Sequence, residues 1–171
     1  MQNFYVVDKL ELPLWQKEFD DFIRYQQESG HRLAKNYQYD YLQRSDELTI
    51  LVDDDDRIAG LACMLKWNDV ATRVMYRWAR DRRIERTDHV YGDLSKAILS
   101  HQLPLVNTPY AFIGLDGNRK RTNKKWANAA GWETTAGWVL PKCYQQIAYI
   151  KLKDTNDAFN PVRDRTFIIA S

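Results

Sequence analysis

The chain has 171 residues, of which 44% are hydrophobic, 28% charged and 13% aromatic. This size and apolar content suit one globular domain with a substantial core and exclude an intrinsically disordered chain. The formal net charge of +2 is close to neutral, so bulk charge favours neither a nucleic-acid nor a membrane partner. We therefore expect a single domain over residues 1–171, with 155–171 as a tail or an edge strand.

The two cysteines, Cys63 and Cys143, are too few for a disulfide framework or a cysteine metal cluster, and we expect no metal site. The N-terminal residues lack the basic and then apolar pattern of a signal peptide. No apolar stretch approaches the roughly 20 residues of a transmembrane helix. These features predict a cytoplasmic protein with no membrane partner.

The N-terminal part begins with an apolar run, residues 4–10, that predicts a short strand. Pro13 suits the first turn of a helix, and the helical spacing of apolar residues that follows ends at Ser29-Gly30. Residues 31–46 are polar and rich in tyrosine, which favours a loop.

A hairpin and a further strand follow. The β-type runs 48–52 and 58–67 flank Asp53 to Asp56, which predicts a hairpin whose acidic turn is solvated. Alternation through Val74, Tyr76 and Trp78 predicts the next strand, and packing is the favoured role of its aromatic side chains.

The C-terminal half predicts a helix over 90–101, a strand over 110–115 and a helix over 119–130 that Gly131 caps. Two last strands follow over residues 132–140 and 145–153. This order of elements indicates an α/β (α+β) fold, in which helices cover both faces of a mixed sheet.

Two segments carry a family resemblance. The stretch YAFIGLDGNRKRTNKKWANAAGWE, a strand, a loop with Asn118, a helix and then Gly131-Trp132-Glu133, resembles the strand, asparagine, helix and "GF-E" ending of the GNAT superfamily of acyltransferases. The stretch ILVDDDDRIAGLACML is similar to the central hairpin of that superfamily. The element order agrees from Phe4 to Lys153. The resemblance implies a GNAT-like central sheet that is mixed and mostly antiparallel.

The family also implies a cofactor, acetyl-CoA (coenzyme A). Its members usually hold the pyrophosphate with an Arg/Gln-x-x-Gly-x-Gly/Ala loop between the fourth strand and the next helix, where backbone N–H groups bind the anion. The corresponding stretch here is RDRRIERTDHVYGDL, so that with Arg86 in the first position His89 and Tyr91 replace the glycines. Arginine side chains offer charge-assisted contacts in their place. By resemblance, the cofactor-binding residues are Trp78, Ala79, Arg80, Arg82, Arg83, Arg86, His89, Val90, Tyr91, Gly92, Asn118 and Trp126.

Acetyl transfer to an amine needs a base, a donor to the thioester carbonyl and a proton for the leaving thiolate. The resemblance implies that the strand 73–80, where it splays from the fifth strand, presents the acetyl group. The tyrosine that many members use as general acid is Ala127 here. The catalytic candidates are Glu85, Asp116 and Tyr144, with Asp81, His89 and Tyr110 as further possibilities. No spacing singles any of them out from an ordinary surface residue.

Basic residues concentrate in two places, around the strand 73–80 and at the start of the helix 119–130. They are Arg73, Arg77, Arg80, Arg82, Arg83 and Arg86 in the first and Arg119, Lys120, Arg121, Lys124 and Lys125 in the second. In the expected fold both meet at one edge of the sheet. This basic edge suits the phosphates of coenzyme A or a polynucleotide backbone, and it also fits a merely solvated face.

Two functions of different class follow. The first is an N-acyltransferase that moves an acetyl group from coenzyme A to a primary amine of a small molecule or a peptide, with transfer to a protein or a nucleic-acid base as a variant. The second is a catalytically silent GNAT-like module that binds protein or nucleic acid through the basic edge, with Trp78 or Tyr91 filling the gap between the fourth and fifth strands. The sequence allows a monomer or a homodimer.

Overall fold

The computed structural model describes residues 5–7, 9–28, 47–81, 88–115, 120–135, 138–140 and 143–162. The predicted loop over 31–46 and the edge strand proposed near Phe167 lie outside these residues. The strands are β1 (Tyr5–Val6), β2 (Glu47–Val52), β3 (Ile58–Lys66), β4 (Ala71–Arg80), β5 (Tyr110–Leu115), β6 (Glu133–Thr134), β7 (Trp138–Leu140) and β8 (Cys143–Lys151). The α-helices are α1 (Gln16–Glu28), α2 (Asp88–Gln102) and α3 (Lys120–Ala129), with 3-10 helices at Lys9–Trp15 and Leu103–Leu105.

Residue contacts divide the chain into two units, to which β3 and β4 both contribute. Unit 1 is Met1–Met64 with Arg77–Leu105, and unit 2 is Leu65–Tyr76 with Val106–Ser171. The strand order is β1-β2-β3-β4 in unit 1 and β4-β5-β8-β6 in unit 2, where β7 also pairs with β8. The sheet is mixed and mostly antiparallel, since β4 and β5 are parallel whereas β5 and β8 are antiparallel.

The β2–β3 hairpin forms the core of unit 1. Its antiparallel register runs from the Glu47↔Met64 pair to the Val52↔Ile58 pair. Consecutive residues from Leu48 to Val52 are all buried, and since neighbouring side chains in a strand point to opposite faces, both faces of the hairpin are covered. From α2, the Gln102 side chain donates to the Thr49 hydroxyl at 3.3 Å on one of these faces.

The acidic hairpin turn differs from the sequence expectation in one residue. Asp53 is buried, and its carboxylate accepts hydrogen bonds from the backbone N–H groups of Asp55 and Arg57 at 2.9 and 3.0 Å. The Arg57 side chain pairs with the same carboxylate at 3.2 Å. The other three aspartates are exposed. Asp53 therefore organises the turn through its own hydrogen bonds, whereas its three neighbours are solvated as expected.

Unit 2 is built around β5. This strand pairs with β4 over three residues at one edge and with β8 over six residues at the other, and Phe112 at its centre is fully buried. Trp67 and Phe159 pack edge-on against Phe112 at 5.6 and 5.7 Å between ring centroids. The core of unit 2 is therefore an aromatic cluster that includes a residue beyond the last strand.

The segment 152–162 is held against this cluster by side chains that donate to its backbone carbonyls. The Trp67 indole N–H donates to Pro161 at 2.7 Å, the Asn68 amide to Asn160 at 2.8 Å, and the Tyr110 hydroxyl to Asp157 at 2.9 Å. These contacts order the part of the predicted tail that the structure describes.

The end of α3 follows the sequence prediction. Gly131 has a φ of +85°, which is a left-handed conformation that glycine adopts without steric cost. Its N–H donates to the Asn128 carbonyl at 3.1 Å and the Trp132 N–H to the Ala127 carbonyl at 2.9 Å. This pair of bonds is a Schellman motif. No helix in the described part of the chain is long and apolar enough to cross a membrane.

Candidate active site

The candidate site begins where β4 stops pairing with β5. Their parallel register joins Ala71, Thr72 and Arg73 to Tyr110, Ala111 and Phe112, although β4 continues to Arg80. A buried hydrogen bond of 2.7 Å between the Thr72 and Thr108 hydroxyls fixes this short register. The part of β4 that pairs with β5 is therefore its first third.

Met75 lies two residues beyond the last pair and has a φ of +51°. A left-handed conformation costs a residue with a side chain about 1–2 kcal/mol, and within a strand it interrupts the alternation of side chains. Backbone strain of this kind concentrates at ligand-binding and catalytic positions. The geometry thus singles out the part of β4 beyond Arg73, which the resemblance assigns to the acetyl group.

The last residues of β4 pack closely on β3 within unit 1. A Cβ built on Gly60 would lie 2.8 Å from Cζ3 and 2.9 Å from Cη2 of Trp78, so the indole ring lies directly over that glycine. Ala79 is buried and Arg80 is half-buried. Beyond them, the Asp81 N–H donates to the Ala59 carbonyl at 2.8 Å. Among the residues predicted to bind the cofactor, Trp78, Ala79 and Arg80 have described side chains.

Gln26 of α1 contacts the end of β4 and was missed from the sequence. Its side chain is fully buried, and Nε2 donates to the Arg80 carbonyl at 2.5 Å. Its Oε1 has no hydrogen-bond partner among the described residues. Gln26 continues the helical spacing of Phe19 and Phe22, the two buried apolar residues of α1. A glutamine at a position that the helical spacing assigns to the buried face was the sequence signal that could have identified it.

α2 begins at Asp88, eight residues after β4 ends, and extends over fifteen residues. The backbone N–H groups at the start of such a helix are unsatisfied within it and favour anions. The backbone at the start of α2 includes four of the predicted cofactor-binding residues, His89, Val90, Tyr91 and Gly92. Trp126 lies in α3 and Tyr144 in β8. Outside the described residues lie Arg82, Arg83, Glu85, Arg86, Asp116 and Asn118.

Comparison with solved structures matches this architecture to a known fold. Aminoglycoside 6'-acetyltransferase type Ii is similar with a TM-score of 0.57 and 11% identity, over 90% of this chain and 99% of that one. Ard1 from Thermoplasma volcanium gives 0.55 and 14% over 90% and 99%, and a GNAT-family acetyltransferase from Staphylococcus aureus Mu50 gives 0.52 and 10% over 90% and 100%.

The chain has the GNAT fold. No protein-family model matches the sequence, and no curated protein matches it either. Sequence identities of 10–14% establish a shared fold and no shared activity. Any inference about the reaction must therefore come from the residues of this chain.

The residues at the end of β4 and the start of α2 fit coenzyme A in their chemistry. β4 ends at Arg80, eight residues before the N-terminus of the fifteen-residue α2, and the N-termini of helices favour phosphate groups. The connection between them carries Arg82, Arg83 and Arg86 in the sequence, and guanidinium groups pair with phosphate oxygens in a bidentate manner.

Arg73 does not belong to an open basic edge. Its guanidinium lies over the rings of Tyr76, Trp67 and Phe112, at 4.8, 5.2 and 6.0 Å from their centroids. These are cation–π distances, so Arg73 is part of the aromatic cluster of unit 2. Tyr76 also packs edge-on against Trp67 at 5.9 Å, in agreement with the packing role predicted for the β4 aromatics.

The glutamate of the "GF-E" segment has a defined partner. The Tyr149 hydroxyl donates to the Glu133 carboxylate at 2.6 Å, across the β6–β8 pair that joins these two residues. This hydrogen bond is the main cause that raises the pKa of Tyr149 from 10.0 to about 12, with burial and the charge of Glu133 acting in the same direction.

The pair gives a testable dependence on pH. Because the pKa of Tyr149 is higher in the folded chain than its ordinary value of 10.0, its contribution to stability is complete below pH 10 and is lost as the pH rises towards 12. Substitution of Glu133 by Gln should lower the pKa of Tyr149 towards 10. Spectrophotometric titration of tyrosinate, with Tyr149→Phe to identify the signal, measures this shift; an unchanged titration curve in Glu133→Gln would contradict the assignment.

Proposed function

We propose that the chain is an N-acyltransferase that moves an acetyl group from acetyl-CoA to a primary amine. The proposal depends on the geometry of β4 in a GNAT fold. β4 pairs with β5 over only three residues, and Met75 beyond them has a left-handed backbone. α2 then begins eight residues after Arg80. The acceptor is an amine of a small molecule or a peptide. The aminoglycoside 6'-acetyltransferase to which the fold is similar is named for such an acceptor.

The start of α2 and the arginines before it would hold the diphosphate of the cofactor. Helix N-termini bind phosphate through backbone N–H groups and through the positive end of the helix dipole. Since His89 and Tyr91 stand where relatives have glycine, close approach of the backbone is hindered. Arg82, Arg83 and Arg86 would therefore supply a larger share of the binding than backbone groups do in glycine-rich loops.

Acetyl-CoA, when bound, supplies a thioester whose carbonyl carbon is attacked by the amine nitrogen as the carbon–sulfur bond breaks. Glu85 or Asp116 would take the proton that the amine loses, and Tyr144 would return a proton to the departing thiolate. A hydroxyl donor elsewhere is needed because Ala127, the family's position for the general acid, is a fully buried alanine. Trp78, Ala79 and Arg80 would line the path of the acetyl group and exclude water from it.

A thiol-release assay with acetyl-CoA and a panel of primary amines tests the proposal. We expect free thiol to form in proportion to the amount of acetylated acceptor, which mass spectrometry identifies by a mass increase of one acetyl group. The variants Glu85→Gln, Asp116→Asn and Tyr144→Phe should include at least one that loses about 100-fold in kcat, the usual effect of removing a general acid or base.

Asp54→Asn is the matched control, because Asp54 is an exposed carboxylate of the β2–β3 turn and its removal should leave turnover unchanged. Coenzyme binding without thiol release for any amine would contradict transfer and favour the catalytically silent module. In that case, binding of an oligonucleotide with a steep salt dependence would assign the basic residues to nucleic acid.

A further inference from the structure

Residues 154–162, here called the arm, follow β8 and contact the aromatic cluster of unit 2 without forming a strand. A main-chain hydrogen bond of 2.7 Å from the Leu152 N–H to the Pro109 carbonyl fixes the chain just before the arm. Within the arm, Pro161 is buried and Phe159 is half-buried, whereas most of the other residues are exposed. The arm is therefore an exposed segment that two apolar side chains attach to the rest of unit 2.

The surface that receives the arm, here called the groove, consists of Trp67, Asn68, Tyr110 and Tyr149. Besides the three hydrogen bonds to the arm described above, the Asn68 amide donates to the Val162 carbonyl at 2.8 Å. The Phe159 ring stacks on Tyr149 with 4.0 Å between centroids and 6° between planes. Aromatic grooves in other proteins bind separate, extended peptides in the same manner, by packing on an anchor side chain and by donating to backbone carbonyls.

The arm satisfies some of its own backbone groups. The Asp157 N–H donates to the Thr155 hydroxyl at 3.1 Å, and the Val162 N–H donates to the Asn160 side-chain oxygen at 3.0 Å. These bonds lie within the arm and do not depend on the groove. A segment that local bonds order in advance loses less conformational entropy when it binds. The arm therefore has the properties of a preformed peptide ligand.

We propose that the groove of one copy of this chain accepts the arm of a second copy, so that two chains exchange arms in a dimer. The structure identifies the occupant, because a second copy carries the same arm and makes the same contacts. Exchange of an identical element is a low-cost route to a dimer. Residues 153–156 are exposed or half-buried and form the hinge.

The sparse attachment of the arm also sets the conditions for exchange. Few buried contacts hold the arm, so it leaves the groove by local opening while the core of unit 2 stays folded. The chain's own arm competes for the groove at an effective concentration on the order of millimolar. Exchange in the wild-type chain therefore requires a similar protein concentration, and it is favoured at lower concentration when a chain's own arm is defective.

Two variants of the full chain separate the arm from the groove. Phe159→Ala removes the anchoring ring of the arm and leaves the groove intact. Asn68→Asp removes the donor from the groove and places a carboxylate oxygen against two carbonyls of the arm. The Oδ1 atom of residue 68 still accepts the N–H groups of Val70 and Ala71, each at 2.8 Å in the wild-type chain, so the turn before β4 is retained.

Sedimentation equilibrium of an equimolar mixture of the two variants tests the proposal. We expect each variant alone to be monomeric, because neither offers both a complete arm and a complete groove to a second copy of itself. The mixture should form a heterodimer with a Kd on the order of 100 μM, the affinity of one arm for one groove. The matched control is Phe159→Ala mixed with the double variant Asn68→Asp/Phe159→Ala, which should remain monomeric.

A mixture that stays monomeric while circular dichroism shows both variants to be folded would overturn the proposal. Equal association in the matched control would assign the contact to another surface and would overturn it as well. Neither result bears on the acyltransferase function proposed above.

A measurement on the wild-type chain does not depend on whether the variants fold. Its average mass should rise with concentration towards that of a dimer at about 2 mM, and an excess of a synthetic peptide of residues 154–162 should reverse the rise by filling the groove. A wild-type chain that is monomeric at this concentration, or a dimer that the peptide does not dissociate, would contradict arm exchange.

Discussion

Substitution of Trp67 by Ala should lower the free energy of unfolding by about 3–5 kcal/mol, the range for removal of a large buried aromatic side chain. Trp67 is only 5% exposed and packs edge-on against both Tyr76 and Phe112. Its indole N–H also donates to the Pro161 carbonyl at 2.7 Å. Alanine would leave a cavity among these rings and an unpaired carbonyl in the segment 152–162.

Urea unfolding of Trp67→Ala and Trp67→Phe separates the two contributions. Phenylalanine retains much of the ring packing and loses the N–H, so its cost should be about 1–2 kcal/mol. Tyr5→Ala is the control, because Tyr5 is 54% exposed and its loss should cost little. A Trp67→Ala variant within 1 kcal/mol of wild type would show that the aromatic cluster is not the core of unit 2.

Substitution of Gly60 by Val is the second large effect, with an expected loss of about 3 kcal/mol. The added Cβ would meet the Trp78 ring at 2.8 Å and the Ala79 carbonyl oxygen at 3.1 Å. The ring atoms belong to a rigid indole and the oxygen to the backbone of β4, so relief requires movement of the strand end. Because that strand end is the proposed acetyl path, affinity for coenzyme A should fall together with stability.

A second substitution identifies the cause. Trp78→Leu removes the ring that the valine would strike, so the double variant should recover at least 1 kcal/mol relative to the sum of the single variants. Gly131→Ala is the contrasting glycine, since its Cβ would meet nothing within 4 Å and only its left-handed φ carries a cost of about 1 kcal/mol. Additive losses for Gly60→Val and Trp78→Leu would contradict the proposed clash.

Local sequence patterns predicted much of the fold because local physics decides those elements. Gly131 ends α3 as predicted, and the apolar runs 48–52 and 58–67 form the predicted hairpin of β2 and β3. The differences have physical reasons. Pro13 lies inside a 3-10 helix that precedes α1, and the predicted strand over 132–140 divides into β6 and β7, which pair with different parts of β8.

The candidate site was less accessible to sequence reasoning, since its distinctive features depend on contacts between distant residues. The left-handed φ of Met75 has no signature in a non-glycine residue. Asp53 looked like its exposed neighbours until its carboxylate was found to hold the turn. The sequence groups Arg73 with the other basic residues of β4. Its contacts with Trp67 and Phe112 arise only in the folded chain and have no sequence signal.

Calorimetric titration of the purified chain with acetyl-CoA tests the central claim most directly, with Arg83→Ala/Arg86→Ala as the matched variant. The account predicts saturable binding, with a Kd on the order of micromolar, that the double variant weakens by about tenfold or more. Absence of binding at millimolar acetyl-CoA would contradict the claim that the end of β4 and the start of α2 form a cofactor site.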